Sequence, residues 1–132
     1  MSRYAHPDVI DNGLNYIKAN CNKVILITDF STAYATVNGA NKIAEATLVT
    51  GDFALSGADG AARTLTATLT GKAAGNALQA LADGTNMHLA FVDTVNSKVL
   101  YVTEESTNQP ITLGNPVTLN TNPTYVGNQP TA

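Results

Sequence analysis

The residues of this chain that could carry out acid–base, nucleophilic or metal chemistry are two histidines, one cysteine and ten carboxylates. His6 precedes a helix-start pattern, and His88 lies in an apolar run, on the face opposite Met87 and Leu89. A polar side chain in such a run is usually packed and hydrogen-bonded rather than catalytic. No nucleophile elbow, zinc-protease motif, phosphate-binding loop or dinucleotide fingerprint occurs. The sequence therefore predicts a protein that is not an enzyme and has no catalytic residues.

Cofactor and metal sites are disfavoured by the same small set of residues. A structural zinc site needs about four cysteine or histidine ligands, and one cysteine with two histidines falls short of that number. No window places acidic oxygens at the spacing of a calcium loop. Asp52 and Asp59 stand beside glycines, as turn residues do. We therefore expect neither a cofactor nor a metal.

Cys21 stands in an apolar stripe at helical spacing, which predicts a buried and unreactive thiol. Because it is the only cysteine, it cannot form an intramolecular disulfide. The helical stripe consists of Ile10, Leu14, Ile17 and Cys21.

The acidic pair at residues 104–105 ends another apolar run, where it is expected to discourage pairing at a strand edge.

Composition limits the partners of the chain. Its 132 residues suit one domain, and only 13% of them are charged, about half of the usual share. Such a neutral surface gives little repulsion between molecules and favours assembly. The net charge of −3 and the scattered Lys and Arg residues argue against nucleic acid. No apolar run approaches the ~18 residues of a membrane span, and the N-terminus lacks an apolar signal core. These features predict a protein that is kept in a cytoplasm-like compartment or is released by lysis.

The first half of the chain predicts one helix and several strands. Proline and aspartate in the first turn predict a helix over about residues 7–20, which would cover the strand that follows it. Residues 23–29 form a continuous β-branched run, typical of a strand buried on both faces. Residues 31–41 are expected to form a loop, and β character extends over residues 42–56.

The clearest alternation in the chain covers residues 63–70. Leu65, Ala67 and Leu69 face one way and four threonines face the other, which predicts a strand with one buried face. Residues 75–83 are expected to form a short helix or an ordered loop.

Residues 86–93 and 98–103 predict an antiparallel hairpin. Because residues 99–102 are apolar on both faces, we place this hairpin centrally in a sheet. A last β segment is expected over residues 111–119, interrupted by a glycine and a proline. The side chains predicted to form the core are Leu26, Leu65, Leu69, Leu89, Phe91 and Leu100.

The last thirteen residues, 120–132, contain two prolines, one glycine and no charged side chain. They predict an extended C-terminal arm outside a single domain of residues 1–119. Pro123, Tyr125 and Val126 are the candidate partner-binding residues of this arm, because an extended segment gains order by lying on a partner. The predicted fold is mainly β: an antiparallel sandwich or small barrel with one N-terminal α-helix and an extended C-terminal arm.

Several core and turn segments together carry a resemblance. They are residues 84–93 (GTNMHLAFVD), 97–103 (SKVLYVT), 24–27 (VILI), 63–66 (RTLT) and 111–117 (ITLGNPV). The pattern of a glycine-containing turn, a His-containing strand ending in Val-Asp and a Leu-Tyr-Val-Thr strand resembles small structural proteins of tailed bacteriophages. The resemblance covers most of the chain but contains no functional signature.

The resemblance implies a virion structural protein that is assembled in the host cytoplasm. A capsid decoration (cement) protein on the outer head surface is the first expectation, and a neck or tail-tube-associated protein is the second. Its partners would be the major capsid protein or other virion proteins, with self-association in the particle and without nucleic acid or membrane. A soluble carbohydrate-binding β-sandwich is the rival from another class, although the chain lacks the tryptophans on which sugar rings stack.

Overall fold

The computed structural model describes residues 4, 6–58, 61–82, 87–105 and 111–128. Within these residues the elements follow in the order α1 Pro7–Asn20, β1 Lys23–Ile27, α2 Tyr34–Val37, β2 Lys42–Thr47, a 3-10 helix Thr50–Asp52, β3 Phe53–Ser56, β4 Arg63–Ala67, β5 Ala73–Asn76, β6 Met87–Asp93, β7 Lys98–Glu105, β8 Pro116–Thr118 and β9 Thr124–Gly127. The strands form three antiparallel sheets, with the orders β2-β1-β6-β7, β3-β4-β9 and β5-β8. The prediction of a mainly β, sandwich-like fold with an N-terminal helix is confirmed.

Helix α1 begins and ends where the sequence predicts. At its start, Nδ1 of His6 accepts a hydrogen bond from the Asp8 amide at 3.2 Å. At its end, the Cys21 amide donates to the Ile17 carbonyl at 2.8 Å. Ile17, Cys21 and Leu14 are all buried, so the predicted apolar stripe is confirmed.

The helix packs mainly against the three-stranded sheet. A half-buried ion pair joins Asp11 to Arg63 of β4, with Oδ1 at 2.8 Å from Nε and Oδ2 at 3.1 Å from Nη2. Helix α1 and β9 approach each other so closely that a Cβ atom at Gly127 would lie 2.5 Å from Cγ2 of Ile10. The main contacts of α1 are with β3, β4 and β9, and its buried side chains share one core cluster with Val24 and Leu26 of β1.

Strand β1 is buried on both faces, as predicted. One set of its side chains points into the core between the sheets, and the alternate set points to the other side. That second side is covered by α2, whose Val37 is fully buried. The prediction of a loop over residues 31–41 is wrong at α2, because the isoleucines on this face of β1 give a short helix a surface to pack on. The first set is Val24 and Leu26, and the second is Ile25 and Ile27.

Strands β6 and β7 form the predicted hairpin, but only β6 is central in its sheet. The prediction is wrong for β7, which is the outer strand; α2 and Tyr125 cover its apolar side chains where a further strand was expected. A bulge shifts the register, so that Tyr101 lies opposite Phe91 and Val99 lies opposite Val92. The rings of Phe91 and Tyr101 stack with their centroids 4.3 Å apart.

Five of the six predicted core side chains are buried, and so the β4 alternation is confirmed. They are Leu26, Leu65, Leu69, Leu89 and Phe91. Leu100 is only half-buried, because it lies in the bulge of an outer strand. The prediction that Leu100 belongs to the fully buried core is therefore wrong.

Residues 75–82 are not helical. Part of the segment belongs to β5, and the rest runs along the outer edge of β2. There the Leu78 amide donates to the Ile43 carbonyl at 2.7 Å, and Nε2 of Gln79 donates to the Lys42 carbonyl at 3.0 Å. The helical alternative is wrong because these donors find partners on a neighbouring strand.

The C-terminal segment is extended, as predicted, but it is not a separate arm. Strand β9 pairs with β4 so that Tyr125 lies opposite Leu65 and Val126 lies opposite Thr64. The predicted boundary between residues 119 and 120 is therefore wrong for the described residues, because β4 offers the segment an open strand edge.

Candidate interaction surface

The three residues predicted to bind a partner lie in or just before β9, with different exposure. Pro123 is buried, and its carbonyl accepts a hydrogen bond from the Ala67 amide at 3.0 Å. Tyr125 and Val126 keep 42% and 45% of their surface exposed. The Tyr125 ring also packs edge-on against Tyr101 of β7, with the centroids 5.2 Å apart. The structure thus brings two of the three residues together on the surface and places the third in the fold.

A side-chain clamp sets the course of the chain into β9. Oδ1 of Asn122 accepts hydrogen bonds from the amides of Leu69 and Thr70 at 2.9 and 3.2 Å, and from Oγ1 of Thr70 at 3.0 Å. These bonds join the start of the segment to the end of β4. The run Thr-Tyr-Val in β9 has high β propensity, and this is the signal by which the sequence could have shown a strand.

Strand β7 offers a second surface. Seven of its eight residues have a partner in β6, Leu100 being the bulged one, and no strand among the described residues pairs with its other side. Unpaired backbone groups along such an edge can accept a further strand. The opposite edge of the same sheet, in β2, is covered by Leu78 and Gln79.

A groove of about 530 Å³ lies beside the first residues of β7. Tyr16 from α1 and Tyr34 from α2 contribute to its walls, and residues 97–100 line it from the hairpin. The lining residues include hydroxyl-bearing residues, apolar residues and Lys98. The groove therefore leaves space at this end of the free β7 edge for an extended chain.

The turn between β6 and β7 is held by a buried carboxylate that the sequence reasoning missed. Asp93 is 2% exposed. Its Oδ1 accepts from the amides of Val95 and Asn96 at 3.0 and 3.2 Å, and its Oδ2 accepts from Nδ2 of Asn96 at 2.7 Å. The aspartate at the head of a polar four-residue turn was the available signal.

The same turn is joined to the start of β1. Oδ1 of Asn22 accepts from the Thr94 amide at 3.0 Å, and its Nδ2 donates to Oγ1 of Thr94 at 2.6 Å. Ser97, with φ at 56°, adopts the left-handed conformation that closes the turn. Because the backbone amides of the turn donate hydrogen bonds to Asn22 and to Asp93, the turn holds Lys98 at a defined position at the start of β7.

Replacing Asp93 with Asn is expected to lower the urea midpoint of unfolding in a pH-dependent way. The Asn96 side-chain hydrogen bond, together with the two turn amides, holds the pKa of Asp93 below its ordinary value of 3.8. A lowered folded-state pKa contributes stability above the unfolded-state pKa, and that stability is lost as the pH falls through the folded-state value.

The difference between wild type and Asp93→Asn should therefore be constant at neutral pH and should shrink below about pH 4. Urea titrations at several pH values measure it. Asp29→Asn, which changes an exposed aspartate outside this turn, is the matched control. A difference that does not change with pH would contradict the ionic role of Asp93.

Each of the two histidines has a structural neighbour. His6 caps α1. His88 is half-buried, with Nε2 at 3.4 Å from a carboxylate oxygen of Glu104 and its ring 6.2 Å from that of Phe30. Nδ1 of His88 is buried and has no hydrogen-bond partner within the described part of the chain. We assign neither histidine a chemical role.

The Cys21 thiol is buried, as the helical stripe predicts. Burial raises its pKa to about 12, although its Sγ lies 3.5 Å from the Lys23 carbonyl and can donate a weak hydrogen bond to it. At neutral pH the thiol is therefore protonated and a poor nucleophile.

No helix among the described residues is long and apolar enough to cross a membrane. Those residues also contain no group of three or more His, Cys, Asp and Glu side chains that could hold a metal ion. No protein-family model, curated protein or solved structure matches the chain.

Proposed function

We propose that the protein is a non-enzymatic structural component of a tailed-bacteriophage virion, and specifically a decoration protein on the outer surface of the capsid. The observation that carries the proposal is the exposed Tyr125–Val126 pair on a strand that is already paired within its own domain. The sequence resemblance supports the same role. In this proposal the protein is part of the virion and its main partner is the major capsid protein.

An ordered patch is well suited to binding a repeated surface. The β4 pairing and the Tyr101 contact hold Tyr125 before a partner arrives, so that little conformational entropy is lost on binding. Aromatic side chains are frequent anchors of protein interfaces. With only 13% charged residues, the surrounding surface loses little charge solvation when neighbouring subunits cover it.

A neck or tail-tube-associated protein is the alternative within the same class. It would use the same patch on a different virion partner, and the two differ in copy number. A decoration protein covers heads at a stoichiometry close to that of the capsid subunit, whereas a neck protein is present in few copies.

A carbohydrate-binding module remains the second candidate from another class. The observation that favours it is the pair of tyrosine rings, Tyr16 and Tyr34, in a groove that also carries hydroxyl groups. Aromatic faces of this kind can stack on sugar rings. This function would depend on Tyr16 and not on Tyr125.

Tyr125→Ala is expected to reduce the amount of protein bound to phage heads by about tenfold or more, as for loss of an interface anchor. Co-sedimentation of purified protein with heads that lack it measures the effect. Leu113→Ala is the matched control, because Leu113 is 62% exposed and lies outside β9.

Val126→Thr is a second variant, which keeps the β-branched shape and leaves the Tyr101–Tyr125 contact in place. Thermal unfolding of each variant shows whether the domain is intact. If Tyr125→Ala and Leu113→Ala bind heads equally well, the β9 patch is not the binding surface. If the wild-type protein is absent from purified virions, the proposed function is wrong.

A further inference from the structure

We infer that two copies of this chain pair through the free edges of their β7 strands, antiparallel and about a two-fold axis at Val102, to form one continuous eight-stranded sheet. The inference concerns association in free solution and does not depend on the proposed virion role. It is based on the open edge of β7, on the bulge in that strand and on the positions of its charges.

The charges of β7 are arranged so that the strand complements itself. Lys98 is at its first position and Glu105 is at its last. In the hairpin, Lys98 lies opposite Asp93 and Glu105 lies opposite Met87. Asp93 and Met87 are an even number of residues apart in β6, so they share a face of the sheet. Lys98 and Glu105 therefore also lie on one face, at opposite ends of the edge.

The bulge determines which residues meet across the two-fold axis. Opposite β6, Leu100 and Tyr101 together occupy one position of the ladder, because the register passes from Tyr101 directly to Val99. With Val102 on the axis, each strand then places Tyr101 opposite residue 103 of the second copy. Val99 comes opposite residue 104, and Lys98 comes opposite Glu105.

This pairing forms two identical Lys98–Glu105 cross-strand pairs per dimer, and opposite charges at such positions are favourable. A register displaced by two residues puts Lys98 opposite Thr103 and leaves Glu105 without a cation. Parallel pairing in register puts Glu105 beside Glu105. The acidic end of β7 thus disfavours the displaced register and the parallel pairing, as acidic residues at a strand edge are expected to do. It is compatible with the antiparallel pairing about Val102.

Two further features of the edge suit a second copy. The groove beside residues 97–100 leaves space for the acidic end of the other strand. The turn held by Asp93 and Asn22 fixes Lys98 at the mouth of the groove before pairing.

The test is a charge exchange followed by mixing. Wild-type protein is expected to be a dimer in analytical ultracentrifugation at about 100 μM, a concentration that detects even weak association. Lys98→Glu and Glu105→Lys should each raise the dimer dissociation constant by about tenfold or more, because both cross-strand pairs become repulsive. An equimolar mixture of the two variants should restore dimers, since each heterodimer again contains two Lys–Glu pairs.

Lys18→Glu makes the same change of charge in the last turn of α1, outside β7, and should leave the dimer unchanged. Lys98→Gln removes the charge without placing a carboxylate next to Asp93, and should weaken the dimer less than Lys98→Glu. Circular dichroism shows that each variant is folded. A monomeric wild type overturns the inference, and so does a dimer that neither charge reversal weakens, because it must then use another surface.

A failure here is distinguishable from a failure of the proposed function. Ultracentrifugation uses no particles, and the head-binding assay depends on Tyr125, which lies on β9 outside the paired strands.

Discussion

Phe91→Ala is expected to lower the free energy of unfolding by about 3–5 kcal/mol, the range observed when a buried aromatic side chain is removed from a core. Phe91 is fully buried at the centre of the four-stranded sheet, opposite Val24 of β1. Its ring stacks on the ring of Tyr101. The centroid of the Phe91 ring also lies 6.3 Å from that of Phe53 in the three-stranded sheet. The truncation thus removes contacts both within one sheet and between two sheets.

A domain of this size is stable by about 5–15 kcal/mol, so this loss is a large part of the total. Urea unfolding followed by far-ultraviolet circular dichroism measures it. Val95→Ala, at a turn position that is 83% exposed, is the control and should change stability by less than about 0.5 kcal/mol. Leu100→Ala should fall between the two. A loss below about 1 kcal/mol for Phe91→Ala would show that the two sheets do not pack through this ring.

Deleting residues 121–132 is expected to destabilise the whole domain by more than about 3 kcal/mol. The deletion removes β9 and the Asn122 clamp, and it exposes the edge of β4 together with the side of α1 that contacts Gly127. This result is the opposite of that expected for a free arm, for which the melting temperature would stay the same.

Ending the chain after Asn128 is the matched control, because it keeps all of β9 and is expected to leave stability nearly unchanged. Thermal unfolding of the two truncated proteins provides the comparison. If the longer deletion melted at the wild-type temperature, β9 would contribute nothing to the fold and the segment would be an arm after all.

The sequence predicted the elements whose signals are local. The proline and aspartate at the start of α1 stabilise its first turn, and the stripe that ends at Cys21 marks its buried face. The alternation in β4 shows which side chains face the core, because the two-residue period of a strand puts one set on each face. The β6–β7 hairpin was predictable because its turn joins two apolar runs that are close in the chain.

Elements that depend on distant partners were not predictable in this way. Nothing local indicates that residues 34–37 become helical, since only the outer face of β1 gives Val37 a place to pack. Strand β9 pairs with a strand about sixty residues earlier, and Pro123 with its polar surroundings favoured an arm when the segment was considered alone. Of the three candidate partner-binding residues, Tyr125 and Val126 lie on the surface and Pro123 is buried, and their role in binding stays a prediction.

The sequence by itself determined the fold class, the single long helix, most of the core and the neutral surface, because these depend on hydrophobic period, helix-start residues and composition. Only the tertiary structure decided that β7 is an outer strand, that a bulge brings Lys98 and Glu105 to one face, and that Tyr125 is held against Tyr101. The physical reason is that strand order and strand edges are set by pairing between residues far apart in the chain, whose choice among open edges no local pattern records.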